Sequence, residues 1–178
     1  MKRADLALAY VLMSVPARRW RDGLDGAAQH ENVLEAAIVY GEAENLILKL
    51  RAPDDGDIYL VLGAVLRAAA IAGQPTILRV TPASLPRRYS QGSAMQAYVL
   101  IKASAKQVER VIEALRPIGG VVEASTVYGE TDVICRVEVP DQAALDRLVM
   151  HDLHAIDAVQ STRTFIVVSD LHWRRADE

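Results

Sequence analysis

This sequence has a single cysteine, no excess of basic residues and no long apolar run, and each of these shortages excludes a class of protein. Cys135 is the only cysteine among the 178 residues. It excludes an intramolecular disulfide framework and a metal-binding cysteine pair, which favours a reducing compartment. No apolar run approaches the roughly 18 residues that a membrane span needs. We therefore expect a cytoplasmic protein with no membrane association, no metal site and no bound cofactor.

Charge and motif content narrow the functions further. The chain has 20 basic and 23 acidic residues, a net charge of −3, whereas nucleic-acid binders usually carry a strong basic excess. Short basic runs such as Arg87-Arg88 and Arg174-Arg175 are expected to be solvated surface. The chain has no glycine-rich phosphate loop, no GxSxG turn and no HExxH motif. We therefore expect a protein that is not an enzyme and has no catalytic residue.

What the sequence does contain is an internal repeat. Ala9-Tyr10-Val11-Leu12 recurs as Ala97-Tyr98-Val99-Leu100, a shift of 88 residues. At the same shift, VLEAAIVYGE at 33–42 and VVEASTVYGE at 121–130 share seven of ten residues. Self-similarity at a fixed period indicates duplicated structural units. The Pro, Gly and Ser content of residues 84–94 suits a linker, which predicts a first, divergent domain at 1–83 and a second at 95–178.

Hydrophobic periodicity predicts the same order of elements, strand-helix-strand-strand-helix-strand, in each copy. In the second copy, Ser104 and Asp141 are expected to cap the two helices. The glycine turn at 129–131 joins two strands as a hairpin, and Thr162 to Val168 form the closing strand. The sequence therefore predicts an α+β fold with two tandem ferredoxin-like βαββαβ units, of the dimeric α+β barrel or sandwich type. We expect the two sheets to pack face to face.

The third strand of each predicted unit carries a basic residue on the face opposite its apolar one. Arg136 lies there in the second copy, and Lys49 is its equivalent in the first. These side chains either neutralise an acidic ligand or pair with Glu35 and Glu123. Pairing is the favoured interpretation, because a buried charge needs a partner.

Three segments of the second copy give it a family resemblance. They are Tyr128-Gly129-Glu130-Thr131-Asp132, the strand that runs on to Pro140-Asp141, and Val159-Gln160-Ser161-Thr162-Arg163-Thr164. Together they resemble the ligand-binding (RAM) domain of Lrp/AsnC transcriptional regulators over most of residues 95–169. Residues 7–81 resemble it more weakly. That family usually has a helix-turn-helix before this domain, and here a second sensing-like copy stands in that place, so direct DNA binding is not expected.

The resemblance implies a ligand site in the second copy. It would consist of Tyr128, Gly129, Glu130, Asp132, Thr162 and Thr164. Weaker equivalents in the first copy are Tyr40, Gly41, Asn45 and Thr76. Asp132 would hold the ammonium of an amino acid, and backbone N–H groups near Gly129 would meet its carboxylate. Without the resemblance, a simpler interpretation is favoured, in which Gly129 serves the turn and Asp132 caps it.

The leading hypothesis is an effector-sensing module that binds a small molecule, and the favoured small molecule is an amino acid. It would modulate transcription as a homo-oligomer or through other Lrp/AsnC-type proteins. One alternative is a small ferredoxin-like enzyme of the monooxygenase, isomerase or decarboxylase type, with Tyr10, Tyr40, Tyr98 and Tyr128 as available phenols. A second alternative is a purely structural assembly protein.

Overall fold

The protein is described by a computed structural model that covers residues 6–88 and 94–176. The fold is α+β, as predicted. Its strands are β1 (Ala7–Met13), β2 (Val33–Val39), β3 (Leu46–Ala52), β4 (Thr76–Leu85), β5 (Met95–Ala103), β6 (Val121–Tyr128), β7 (Val133–Val139) and β8 (Val159–Arg174). Its α-helices are α1 (Trp20–Ala28), α2 (Ile58–Ala68), α3 (Val108–Leu115) and α4 (Gln142–Arg147).

The chain divides into two compact units. The first comprises Met1–Arg79 and Val167–Glu178, and the second comprises Val80–Ile166. Two strands therefore belong to both units, because the division falls within β4 and within β8. Of the predicted linker, residues 84–88 and 94 are described, and 89–93 lie outside the described residues, as do 1–5 and 177–178.

The first unit has an antiparallel sheet with helices packed on one face. Its strand order is β4-β1-β3-β2-β8, with Tyr10 opposite Lys49 and Glu35 opposite both Lys49 and Arg174. Alternate residues of these strands, among them Val11 and Leu48, are buried against α1 and α2. Because successive strand residues point to opposite faces, Tyr10, Lys49 and Glu35 lie on the face away from the helices.

Gly26 of α1 lies against Ala69, which directly follows α2, and its lack of a side chain allows this close approach. A Cβ at this position would lie 2.9 Å from the Cα of Ala69. Glycine lowers helix propensity, yet α1 runs through both Gly23 and Gly26. Close packing against Ala69 therefore explains why position 26 is glycine, although glycine disfavours helix formation.

The second unit repeats this arrangement. Its strand order is β4-β6-β7-β5-β8, and all of the described pairings are antiparallel. Val99, Val133, Cys135 and Val137 are buried beneath α3 and α4. Tyr98 and Arg136 are register partners on the opposite face. Each unit therefore has the predicted βαββαβ order.

Helix ends agree with the sequence in one case and differ in another. Asp141 caps α4 as predicted, because its Oδ1 accepts a hydrogen bond from the backbone N–H of Ala144 at 2.8 Å. The Ser104 side chain makes no capping bond, so that expectation is wrong. A short 3-10 helix at Ala105–Gln107 precedes α3, and the Ser104 carbonyl accepts from the N–H of Gln107 at 2.8 Å instead.

A π-helical segment at Leu148–Leu153 continues α4. Such segments are rare and frequently lie at functional sites. No helix in residues 6–88 or 94–176 is long and apolar enough to cross a membrane.

Candidate functional site

The turn between β6 and β7 carries most of the residues that sequence reasoning assigned to the ligand site. Gly129 has a φ of +154°, a region that favours glycine. Tyr128 is 76% exposed, and Gly129 and Glu130 are also exposed. The turn thus presents backbone and side-chain groups to solvent while β6 and β7 fix its two ends.

Asp132 ties this turn to the end of β5. Its Oδ2 accepts a hydrogen bond from the N–H of Ala103 at 2.9 Å, and its own N–H donates to the Ile101 carbonyl at 3.1 Å. The Thr131 hydroxyl donates to the same carbonyl at 2.9 Å. Asp132 therefore fastens the turn to the neighbouring strand β5 through one of its two carboxylate oxygens, whereas the simpler interpretation had it capping its own turn.

β8 lies on the other side of the same β5 residues. Thr162 is the register partner of Ile101, and Thr164 is the partner of Val99. The carboxylate of Glu130 lies 3.3 Å from Nη1 of Arg163. The β6–β7 turn therefore contacts one side of the end of β5, and Thr162 lies on its other side. Thr164, which is exposed, lies farther along β8.

His154 is a neighbour of this region that sequence reasoning did not assign to the ligand site. It follows the π-helical segment, and its Nε2 lies 3.2 Å from the Thr162 hydroxyl. The extra residue per turn of a π-helix is the kind of irregularity that periodicity in the sequence does not reveal.

The equivalent residues of the first unit differ from this arrangement in chemistry and in register. Asn45 Oδ1 accepts from the N–H of Val15 at 2.8 Å, and its Nδ2 donates to the Val15 carbonyl at 2.9 Å. Both polar side-chain atoms of Asn45 are therefore used on the backbone. Tyr40 and Gly41 are exposed, and Thr76 pairs with Leu12 at the start of β4.

Two pairs of arginines have roles that the sequence did not suggest. Arg88 donates to the carbonyls of Arg116, Ile118 and Val121 at 2.7, 3.1 and 2.6 Å. Arg175, 87 residues later (175 − 88 = 87), donates to the carbonyls of Val33 and His30 at 3.0 and 2.9 Å. The expectation that these arginines are solvated surface is therefore wrong. Each holds the backbone that leads into β2 or β6.

The preceding arginines form ion pairs on the sheet faces away from the helices. In the second unit, Arg87 Nη2 lies 2.9 Å from Glu138 Oε1 and its Nη1 lies 4.0 Å from Glu123. In the first unit, Arg174 Nη1 lies 3.6 Å from Glu35. The predicted partners of Glu35 and Glu123 were Lys49 and Arg136, whereas the ion pairs described here join these glutamates to Arg174 and Arg87.

Arg136 completes the buried polar cluster of the second unit. Its Nη1 donates to the Tyr98 hydroxyl at 2.6 Å, its Nη2 donates to Gln96, and its Nε lies 3.5 Å from Glu138. Only 4% of the Arg136 side chain is exposed. Such a buried cation is tolerated because both Nη atoms donate hydrogen bonds and the Glu138 carboxylate lies beside Nε.

The only cysteine lies in the core. Burial raises the pKa of the Cys135 thiol to about 12, so the thiolate is scarce near neutral pH and the residue does not suit nucleophilic chemistry. Within residues 6–88 and 94–176, no three histidine, cysteine or carboxylate residues are grouped as they would be to hold a metal ion.

Comparison with known families identifies the second copy. Residues 96–176 match the model of the Lrp/AsnC ligand binding domain. This segment therefore carries the ligand binding domain of that family. The resemblance recognised in the Tyr128–Asp132 turn and in the β8 sequence is thereby confirmed.

Solved structures extend the likeness. FFRP-DM1 is 31% identical over 42% of this chain and 99% of that one, with a TM-score of 0.40. Escherichia coli AsnC is 21% identical over 67% of this chain and 74% of that one, with a TM-score of 0.43. The siroheme decarboxylase NirDL aligns with 92% of this chain and 71% of its own at 11% identity, with a TM-score of 0.72. No curated protein sequence matches the chain.

The likeness to NirDL corrects one expectation. Because the sequence has no familiar catalytic motif, we expected a protein that is not an enzyme. That expectation is wrong, since the fold of nearly the whole chain is the fold of an enzyme. Motif absence was a poor guide here because a fold can hold catalytic groups that have no fixed local spacing.

Proposed function

We propose that the second unit binds a small-molecule effector beside the β6–β7 turn and the start of β8. The leading candidate for this effector is an amino acid. The observation that carries this proposal is the family match of residues 96–176. The convergence of the turn and Thr162 on Ile101 supports it.

The chemistry of the turn suits a zwitterion. Asp132 uses Oδ2 on the backbone of Ala103, which leaves Oδ1 to accept from an ammonium. Backbone N–H groups beside Gly129 are approachable because no Cβ shields them. The hydroxyls of Thr162 and Thr164 would complete the hydrogen bonds.

Calorimetry with the proteinogenic amino acids, preceded by a thermal-shift screen, tests this proposal. A ligand that binds the folded state raises the melting temperature. Asp132→Asn should weaken binding about tenfold, because hydrogen bonds to a charged group are stronger than neutral ones by roughly 1 kcal/mol or more. Thr164→Val should also weaken it while keeping the strand shape.

Asn45→Asp is the matched control, because it makes the reciprocal change at the equivalent position of the first unit. It should leave the affinity of the second unit unchanged. A ligand whose affinity neither Asp132→Asn nor Thr164→Val alters would bind elsewhere and would contradict the assigned site.

The biological setting belongs to the same proposal. Effector binding would alter a cytoplasmic homo-oligomer, or its association with other Lrp/AsnC-type proteins, and so modulate transcription. The net charge of −3 supports action through partners and not through direct DNA binding. Analytical ultracentrifugation of the protein, with and without an amino acid selected by the thermal-shift screen, measures its oligomeric state.

A second candidate function is enzymatic. The alignment of NirDL with 92% of this chain favours it, and a NirDL structure also exists with an iron-uroporphyrin III analogue. We propose turnover of an anionic substrate, with decarboxylation as the first reaction to assay. Release of carbon dioxide from a carboxylated tetrapyrrole is the measurement, and binding without release would leave the effector function as the better proposal.

A further inference from the structure

Helix α2 of the first unit is apolar on the side that faces away from the core as well as on the side that faces it. Arg67 is the only charged residue in its sequence, IYLVLGAVLRA. Leu62 and Val65 are buried in the core of the unit, whereas Tyr59 and Leu60 are 59% and 71% exposed. A helix that is apolar on all sides is usually buried, and an exposed apolar face commonly marks an interaction site.

The equivalent helix of the second unit has charges at the same two positions. An aspartate precedes each helix and accepts a hydrogen bond from the backbone N–H three residues later, and these two aspartates are 87 positions apart (141 − 54 = 87). At this shift, Tyr59 corresponds to Asp146 and Leu60 to Arg147, both of which are exposed. The fold therefore accepts charges at these positions, and the apolar pair of the first unit needs another explanation.

The rest of this face is small and ordered. Gly63 and Ala64 lie one turn after Tyr59 and Leu60 on the same side of α2 and are partly buried. Small residues allow a second helix to approach to the short end of the usual 8–10 Å between helix axes. The Tyr59 ring is held by Arg79, whose Cζ lies 5.3 Å from the ring centroid. We name Tyr59, Leu60, Gly63, Ala64 and Arg67 the outer face of α2.

Charges at the two ends of this helix suit an antiparallel copy of itself. Asp57 directly precedes α2, and Arg67 lies in its last turn. With a twofold axis between Gly63 and Ala64, each residue faces the one whose number completes a sum of 127 (63 + 64 = 127). Arg67 then faces the partner subunit's Leu60, and Asp57 of the partner subunit lies about 4.5 Å farther along the axis, within reach of the guanidinium. A parallel pair would instead bring the two copies of Arg67 together.

We propose that the outer face of α2 packs antiparallel against the outer face of a second copy of this chain. Tyr59 and Leu60 form the apolar contact, the two small residues allow the close approach, and Arg67 pairs with Asp57 of the partner subunit. Such a twofold contact uses the same patch on both copies and closes as a dimer. One helix pair is a small interface, so the dissociation constant is on the order of micromolar.

This inference rests on the homo-oligomer of the proposed function and names the surface that forms it. The surface lies in the first unit, whereas the proposed effector site lies in the second. The dimer is measured without any amino acid, so a protein that binds no amino acid still gives a result. Conversely, a monomeric protein would leave the effector site to be tested by calorimetry.

Sedimentation of the full chain over a range of concentrations tests the inference. Leu60→Arg installs the residue of the second unit at an exposed position, so the fold and the melting temperature of the monomer should be kept. It enters a twofold interface twice and should raise the dissociation constant at least about a hundredfold. Met150→Arg is the matched control, because Met150 is 64% exposed on the equivalent helix of the second unit. It should leave the dissociation constant unchanged.

Charge reversal gives an independent test that leaves the apolar contact in place. Arg67→Glu and Asp57→Arg should each weaken the dimer about tenfold, because each puts like charges opposite one another. The double variant restores an opposite-charge pair and should return to within about threefold of the wild type. Recovery in the double variant would be specific to the antiparallel arrangement.

Four outcomes would overturn the inference. A wild type that stays monomeric up to about 100 µM would show that a second copy does not cover this face, since even a weak dimer forms at that concentration. A dimer that survives Leu60→Arg would use another surface. Equal weakening by Leu60→Arg and Met150→Arg would point to a general effect of added charge. Failure of the double charge reversal to recover would exclude the antiparallel register.

Discussion

Arg88 gives the sharpest test of the contacts that hold the second unit together. Replacing it with alanine removes three hydrogen bonds to the carbonyls of Arg116, Ile118 and Val121. The bonds to Ile118 and Val121 are partly buried, and the bond to Arg116 is exposed. A hydrogen bond from a charged donor contributes roughly 1.5–3 kcal/mol when buried.

We take the lower part of that range for the two partly buried bonds and little for the exposed one. Arg88→Ala should then lower the free energy of unfolding by about 2–4 kcal/mol. In a protein of this size each kcal/mol corresponds to roughly 2–4 °C, so the melting temperature should fall by about 5–15 °C. Thermal and urea unfolding, followed by circular dichroism, measure the change.

Arg116→Ala is the control, because the backbone carbonyl that Arg88 uses is retained. The Arg116 side chain forms only an exposed ion pair with Glu113 at 2.8 Å, and such pairs contribute little. Its melting temperature should stay near that of the wild type. Equal destabilisation by the two substitutions would refute the reasoning that Arg88 holds the segment before β6.

Three further predictions concern packing, capping and reactivity. Gly26→Ala should destabilise the protein by about 1–3 kcal/mol through overpacking, whereas Gly119→Ala, with no atom within 4 Å of its new Cβ, should not; urea unfolding compares them. Asp132→Asn should keep the melting temperature, because Asn45 already makes the equivalent backbone bond in the first unit; a large drop would contradict that equivalence. Cys135, whose pKa burial raises to about 12, should resist iodoacetamide at pH 8 until urea unfolds the chain; rapid labelling of the native protein would show that the thiol is accessible.

The parts of the fold that the sequence predicted are those with local causes. The periodicity of each helix and strand is written in neighbouring residues, as are the Gly129 turn and the Asp141 cap. Because the first copy repeats the second, the same order of elements was predicted for it, although Gly23 and Gly26 disfavour its first helix.

The parts that were missed depend on distant pairing. Thr162 to Val168 were predicted as the last strand, but β8 continues to Arg174, because residues from Val167 onward pair with β2. The Arg87-Arg88 and Arg174-Arg175 pairs appeared as isolated charges, since their carbonyl and carboxylate partners are 28 to 145 residues away. Their common shift of 87 was the one signal in the sequence that links them.

The candidate ligand site was predicted as a set of residue types and stays a prediction as a binding site. The sequence identified the turn, Asp132 and the β8 threonines through the family resemblance. It gave no indication of His154 beside Thr162, because a π-helical segment changes which side chains reach the neighbouring strand.

The division of β8 between the two units bears on the order of events during synthesis. Domains usually fold one after another as the chain emerges, beginning from the N-terminus. Here the first unit includes Val167–Glu178, so the ribosome must make all of the second unit before the first has its last strand. Until then β2 presents an unpaired edge, which is a template for association with other chains. The unit that is translated first is therefore completed last, and its exposure to chaperones and to misassembly extends over the translation of its neighbour.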